Sequence, residues 1–169
     1  ANDGDVIVTG FFSNQAESAV ELGGVFYLRL RKGDFVLSAK NLSNLSPDLL
    51  GKLISDKQVA KGKEPTDFYF QHVAPTADGG AVLVAEQFYQ RETCLTDSRT
   101  GFIQCTQHYY YNDVLVVQLD ESGKVDWAQP VFKSQYSVND GGPFGSYVFG
   151  VNKRNVFLLF NDHPKNEVL

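Results

Sequence analysis

Methionine is absent from all 169 residues, tryptophan occurs once, at Trp127, and cysteine only twice, at Cys94 and Cys105. A chain that opens on Ala1 and holds no Met reads as a processed product or as a piece of a longer polypeptide. No apolar run approaches the ~20 residues that carry a helix across a bilayer, and no signal-peptide pattern is visible. Basic residues are in the minority: 15 Lys and Arg against 20 Asp and Glu give a net charge of −5 and a pI of about 5.1. The basic face of a nucleic-acid binder is therefore not expected. The spacings of common catalytic motifs are missing too: there is no HExxH, no GxSxG and no GxxxxGK phosphate loop, and His72, His108 and His163 are scattered.

What the chain has in quantity is apolar and aromatic side chains. At 43% hydrophobic, with 13 Phe and 8 Tyr, it can build a core and is not a disordered chain. These residues fall into short β-branched runs separated by Gly turns, the pattern of strands. Strands are expected at Asp5–Phe12, Val25–Leu30, Phe35–Lys40, Asp67–Ala74, Ala81–Tyr89, Tyr109–Leu119, Val125–Phe132, Ser146–Val151 and Asn155–Phe160. Turns are expected at Asn2-Asp3-Gly4 and at Asn139 to Gly142. Ser46–Lys57 has a different texture. Ser46 can cap, Pro47 suits the first helical position, Asp48 complements the helix dipole, and Leu49, Leu50, Leu53 and Ile54 make one apolar face, so a short helix is expected.

Val6–Val8, Val114–Val117 and Val156–Phe160 are apolar at consecutive positions, which implies cover on both faces of the sheet. The chain also repeats itself. Gly4–Thr9 aligns with Gly80–Ala85, Val25–Leu30 with Val114–Leu119, Gly33 with Gly123, and Leu37 with Trp127; Val156–Leu159 aligns in turn with Val82–Ala85. The repeating unit is four strands, a to d. Residues 1–45 would hold b-c-d of a first unit, 46–66 a helical insertion and loop, 67–137 a complete unit, and 138–169 strands a-b of a third. Four-stranded antiparallel units in series point to an all-β, β-propeller-like fold of about two and a half blades, an incomplete ring. A sandwich would share the strands but not the repeat.

The run Asp78-Gly79-Gly80-Ala81-Val82-Leu83-Val84-Ala85, then Asn112 to Asp120, then Ser122-Gly123 and Trp127, resembles the blade repeat of secreted and envelope bacterial β-propellers. Their blades read DGG-aliphatic, then D-x-aliphatic-aliphatic-K-L-D, then a Gly turn and a Trp. The match covers residues 67–132 well, with Gln118 where Lys is commoner; it is degraded in the first copy and partial in the third. The resemblance implies a propeller in an exported or envelope protein and implies no activity.

Between the second and third strands of the complete unit lies a polar insertion, Arg91–His108, expected to project as an extended hairpin. A Cys94–Cys105 disulfide would hold it, contributing roughly 3 kcal/mol for a loop of this size, and would fit an oxidising compartment. The alternative is a metal set of Cys94, Cys105 and His108, but that spacing matches no common zinc site and lacks a fourth ligand. Tyr109, Tyr110 and Tyr111 follow; alternation sends Tyr109 and Tyr111 to one face and Tyr110 to the other. They are a candidate surface for a sugar or a partner chain, against the plainer reading that they pack over the hairpin base. Asp120–Asp126 has neither the Gly position nor the closing Glu of a calcium loop and reads as a solvated turn. Asn41 and Asn44 begin formal glycosylation sequons.

The expectation is a non-catalytic propeller segment acting as scaffold or protein-interaction module of an exported or cell-envelope protein, in the periplasm, at the cell surface or secreted. No cofactor and no metal are expected. The partner would be the remainder of the propeller or another chain. The alternative is a glycan-binding or glycan-processing propeller whose active site lies partly outside this chain. Open sheet faces and edges would make the isolated chain associate or dock.

Overall fold

The computed structural model describes residues 4–15, 21–152 and 155–161. The Asn2-Asp3 part of the first turn, Lys153-Arg154 between the last two expected strands, and His163 lie outside them. The described residues form three antiparallel sheets, none closed on itself. The first is a meander of β1 (Val6–Phe12), β2 (Gly24–Leu30) and β3 (Leu37–Asn44). The middle sheet runs β4 (Phe68–Pro75), β5 (Ala81–Thr96), β6 (Ile103–Leu119) and β7 (Val125–Val131), with β8 (Gln135–Val138) added beside β6. The third pairs β9 (Val148–Val151) with β10 (Val156–Leu159). The fold is all-β, as expected.

The apolar runs on β5 and β6 are covered on both sides. Ala81, Leu83, Ala85, Leu115, Val117 and Leu119 pack against Val25 and Tyr27 of the first sheet. Val82, Val84, Val114 and Val116 point the other way and meet Phe149, Val156 and Leu158 of the third. The middle sheet is thus the filling between two others, which is why its central strands do not alternate. Two hydrogen bonds pin the first joint: Tyr27 donates its hydroxyl to the Gly79 carbonyl at 2.9 Å, and Asn41 its amide to the Gly123 carbonyl at 2.8 Å. Gly123 has φ +79°, and a Cβ there would stand 2.5 Å from the Tyr27 ring. Only glycine lets that turn close over the tyrosine.

The helical insertion is two short helices rather than the single one expected. α1 (Pro47–Leu53) starts as predicted, with Leu49 N–H donating to the Ser46 hydroxyl at 3.2 Å. It ends at Ile54, whose backbone is extended; Ser55 then caps α2 (Asp56–Val59) with Gln58. Leu49, Leu50 and Leu53 seal the joint between the first and middle sheets.

The pairing registers revise the internal match. Val6, Val8, Leu28 and Leu30 form pairs Val6–Leu30 and Val8–Leu28, as Ala81–Leu119 and Leu83–Val117 do in the middle sheet. With β2 kept on β6, Val6 therefore corresponds to Ala81 and Gly4 to Gly79, one residue from the sequence alignment. Gly4 and Gly79 share a left-handed backbone, φ +84° and +94°. Both sheets carry a bulge at the same place, between Arg29 and Leu30 and between Gln118 and Leu119. Across it, Trp127 pairs with Gln118 and Ala39 with Arg29, so the counterpart of Trp127 is Ala39, not Leu37. Val156 opens β10 opposite Val151, the last residue of β9, as Ala81 opens β5 opposite Pro75, the last of β4, so by register Val156 stands against Ala81 rather than Val82.

Candidate functional site

β5 and β6 outrun their neighbours and continue as a two-stranded ribbon. β4 flanks β5 no farther than Gln87, β8 flanks β6 from Tyr111 to His108, and Asn139 closes that edge at Gln107. From Thr93–Thr106 to Thr96–Ile103 the two strands stand alone, exposed except at the half-buried Thr106. Cys94 and Cys105 are directly opposite each other and joined by a disulfide of 2.07 Å. At the tip the Asp97 carboxylate accepts the Arg99 and Thr100 N–H groups at 2.8 and 2.9 Å, which holds it below the usual carboxylate range. Beside this fixed turn Leu95 is 78% exposed, and Phe102 and Ile103 are exposed with it.

The disulfide removes the metal alternative. Both sulfurs are committed, Glu92 beside them has no thiolate to share a cation with, and His108 lies on the opposite face of the ribbon. Its Nε2 is 2.8 Å from the Thr93 hydroxyl and its Nδ1 2.7 Å from the Tyr136 hydroxyl. His72, on β4 of the same sheet, stacks instead on Phe149 of the third sheet at 4.8 Å. Asp120 accepts the Ser122 hydroxyl and the Ser122 and Lys124 N–H groups, so its carboxylate serves its own turn, as the solvated-turn reading requires.

The tyrosines divide as alternation predicts. Tyr111 shares a face with Tyr109 and lies against Phe88 at 4.5 Å under a Gly-rich loop, where a Cβ at Gly145 would strike its ring. Burial pushes its hydroxyl pKa up. Tyr110 sits on the other face in a row across three strands, between Tyr89 at 4.7 Å and Tyr136 at 5.1 Å, with the Arg91 guanidinium over Tyr89 at 5.2 Å. Both ring faces of Tyr110 are flanked by other rings. A sugar binds an aromatic platform through an open ring face, and Tyr110 offers none.

At the base of the ribbon is a cluster that no sequence motif marked. The side chains of Glu86 and Lys133, both 0% exposed, form an ion pair of 2.6 Å. The second Glu86 oxygen accepts the Gln71 amide at 2.8 Å and the Ser146 hydroxyl at 2.6 Å, while Lys133 also donates to the Tyr111 carbonyl and the Gln135 side chain. Burial, then the Glu86 charge, drives the Tyr147 hydroxyl pKa far up. Burial likewise raises the Asp113 carboxyl, against the pull of the Lys133 N–H and charge. The cluster ties β4, β5, β6 and the β7–β9 connection together, with its two charges sealed and Gln71 exposed at its edge.

A cleft of about 560 Å³ opens beside α2, with Glu21, Glu64, Lys61 and Lys63 in its wall. Glu64 is already satisfied by the Ser13 hydroxyl and the Asn14 N–H, so it fastens the end of β1 rather than facing a ligand alone. No family model matches the chain, and no curated protein or solved structure matches it either.

Proposed function

We propose that this chain is a non-catalytic segment of a β-propeller, a scaffold and protein-interaction module of an exported or cell-envelope protein. Its ring is completed by further blades from the same polypeptide or from another chain. One observation carries the reading: the open face of the first sheet corresponds, pair for pair, to the face of the middle sheet that the first sheet itself covers. Val6–Leu30 and Val8–Leu28 stand where Ala81–Leu119 and Leu83–Val117 stand. The one set of pairs lies half in water and the other is sealed. A face built for cover yet left apolar implies a neighbour. The disulfide supports an oxidising location, and the stapled ribbon with its apolar tip supports contact with another polypeptide.

Sedimentation velocity over a range of protein concentrations, with thermal melting alongside, tests this reading. Concentration-dependent association is expected. A monomer at every concentration, melting in one sharp transition, would overturn it.

A further inference from the structure

We infer that a second copy of this chain covers the first sheet, head to tail, by laying the outer face of its third sheet on Val6, Val8, Leu28 and Leu30. The inference rests on the propeller reading and adds the partner and the geometry of the contact.

Each sheet has two unlike faces, and register distinguishes them. Call one the leading face: on the first sheet it carries Ile7, Val25 and Tyr27, and on the middle sheet Val82, Val84, Val114 and Val116. The trailing face of the middle sheet carries Leu83, Leu115 and Val117. Both joints inside the chain are made leading face to trailing face: first onto middle, then middle onto third, where Val156 and Leu158 are the trailing residues. Among the described residues two faces then remain uncovered, one of each kind. The first sheet keeps an open trailing face, with Val6 and Val8 exposed and Leu28, Leu30 and Phe26 half-buried beside Leu42. The third sheet keeps an open leading face, with Phe157, Val148 and Leu159 exposed, the last at 73%. The two ends are thus the two halves of a joint the chain already makes twice. A contact between unlike patches on identical subunits is heterologous, so it propagates until the rotation closes.

Two single-cysteine substitutions, Val8→Cys and Leu159→Cys, test it, because both native side chains lie in water in the free chain. The two purified oxidised proteins are mixed and treated with a short bismaleimide during sedimentation-monitored association. The expected product is the mixed species, linking position 8 of one copy to position 159 of the other, in excess over either like-with-like species. Val8→Glu in a third sample, folded by circular dichroism, is expected to weaken association roughly tenfold or more, since it places a charge in the covered patch. Association with only like-with-like products, or association indifferent to Val8→Glu, would overturn the head-to-tail contact while leaving the propeller reading standing. A strict monomer would overturn both.

Discussion

Glu86 and Lys133 are a pair of opposite charges in the core that water does not reach. Removing one partner strands the other, so Glu86→Gln or Lys133→Met is expected to cost about 3–5 kcal/mol in urea unfolding, whereas a well-packed double replacement should recover much of that loss. Gly123→Ala is expected to destabilise by more than the ~1 kcal/mol of an ordinary loop substitution, because it adds a clash with Tyr27 to a left-handed backbone. The turn aspartates respond to acid. Hydrogen bonds from the Thr76 and Ser122 hydroxyls hold the Asp78 and Asp120 carboxyls below their usual 3.8. A depressed carboxyl contributes stability above its unfolded pKa and loses it as pH falls through the folded value. The urea midpoint should therefore drop as pH goes below 3.8, and Asp120→Asn should flatten that limb. Asp113, raised by burial, works in the opposite direction and at higher pH: it adds stability as pH falls from its folded value toward 3.8, a gain that Asp113→Asn should remove. Individual residues were unevenly legible. The cysteine pair announced itself by spacing and setting. Glu86 did not, because a single charge closing an apolar run says nothing of a partner dozens of residues away.

At the scale of elements, the strands were legible and their registers were not. A strand half exposed alternates, and a slip of one residue would be visible as an apolar face turned to water. Val6–Val8, Val82–Val84 and Val156–Leu159 are apolar on consecutive positions, so a slip leaves their pattern unchanged, and each of those matches was set one residue out. β2 and β6 kept their match because the Leu30 and Leu119 ends abut a bulge and a Gly turn. β8 was invisible for another reason: Gln135–Val138 is a strand because β6 has a free edge beyond β7, not because of its own composition. The helix broke where Ile54 took an extended backbone and Ser55 offered a fresh cap. The ribbon itself is an element whose stability is local. Reducing the disulfide is expected to speed amide exchange over residues 93–106 strongly, within the roughly 3 kcal/mol a short loop's closure provides. The melting temperature should barely move, because nothing in the core rests on those residues. Exchange that stays slow after reduction would show that the strand pairing alone holds the ribbon.

For the whole molecule, the expectation of doubly covered central strands was met, among the described residues, by the middle sheet alone. Trp127 marks the limit. It is 38% exposed and donates its indole N–H to the Gln118 side chain. Its counterpart Ala39 packs into the first joint. The third sheet has two strands, and they cover β5 and β6 without burying the tryptophan on β7. Strands that complete the third sheet would cover that flank, so binding of such a partner should move the single tryptophan's emission to shorter wavelength. Head-to-tail association of copies uses other faces and should leave the maximum unchanged; a shift on self-association would place the contact on β7 instead.

The stapled ribbon has a consequence for how the chain behaves when cut. Arg99 lies at the exposed tip, inside the loop that Cys94 and Cys105 close. A tryptic break after Arg99 separates two polypeptides in sequence but not in fact: the product should be one water heavier and stay a single particle, falling into residues 1–99 and 100–169 only when reductant and denaturant act together. The disulfide thus lets an exposed tip be severed with little change in how the two parts stay connected.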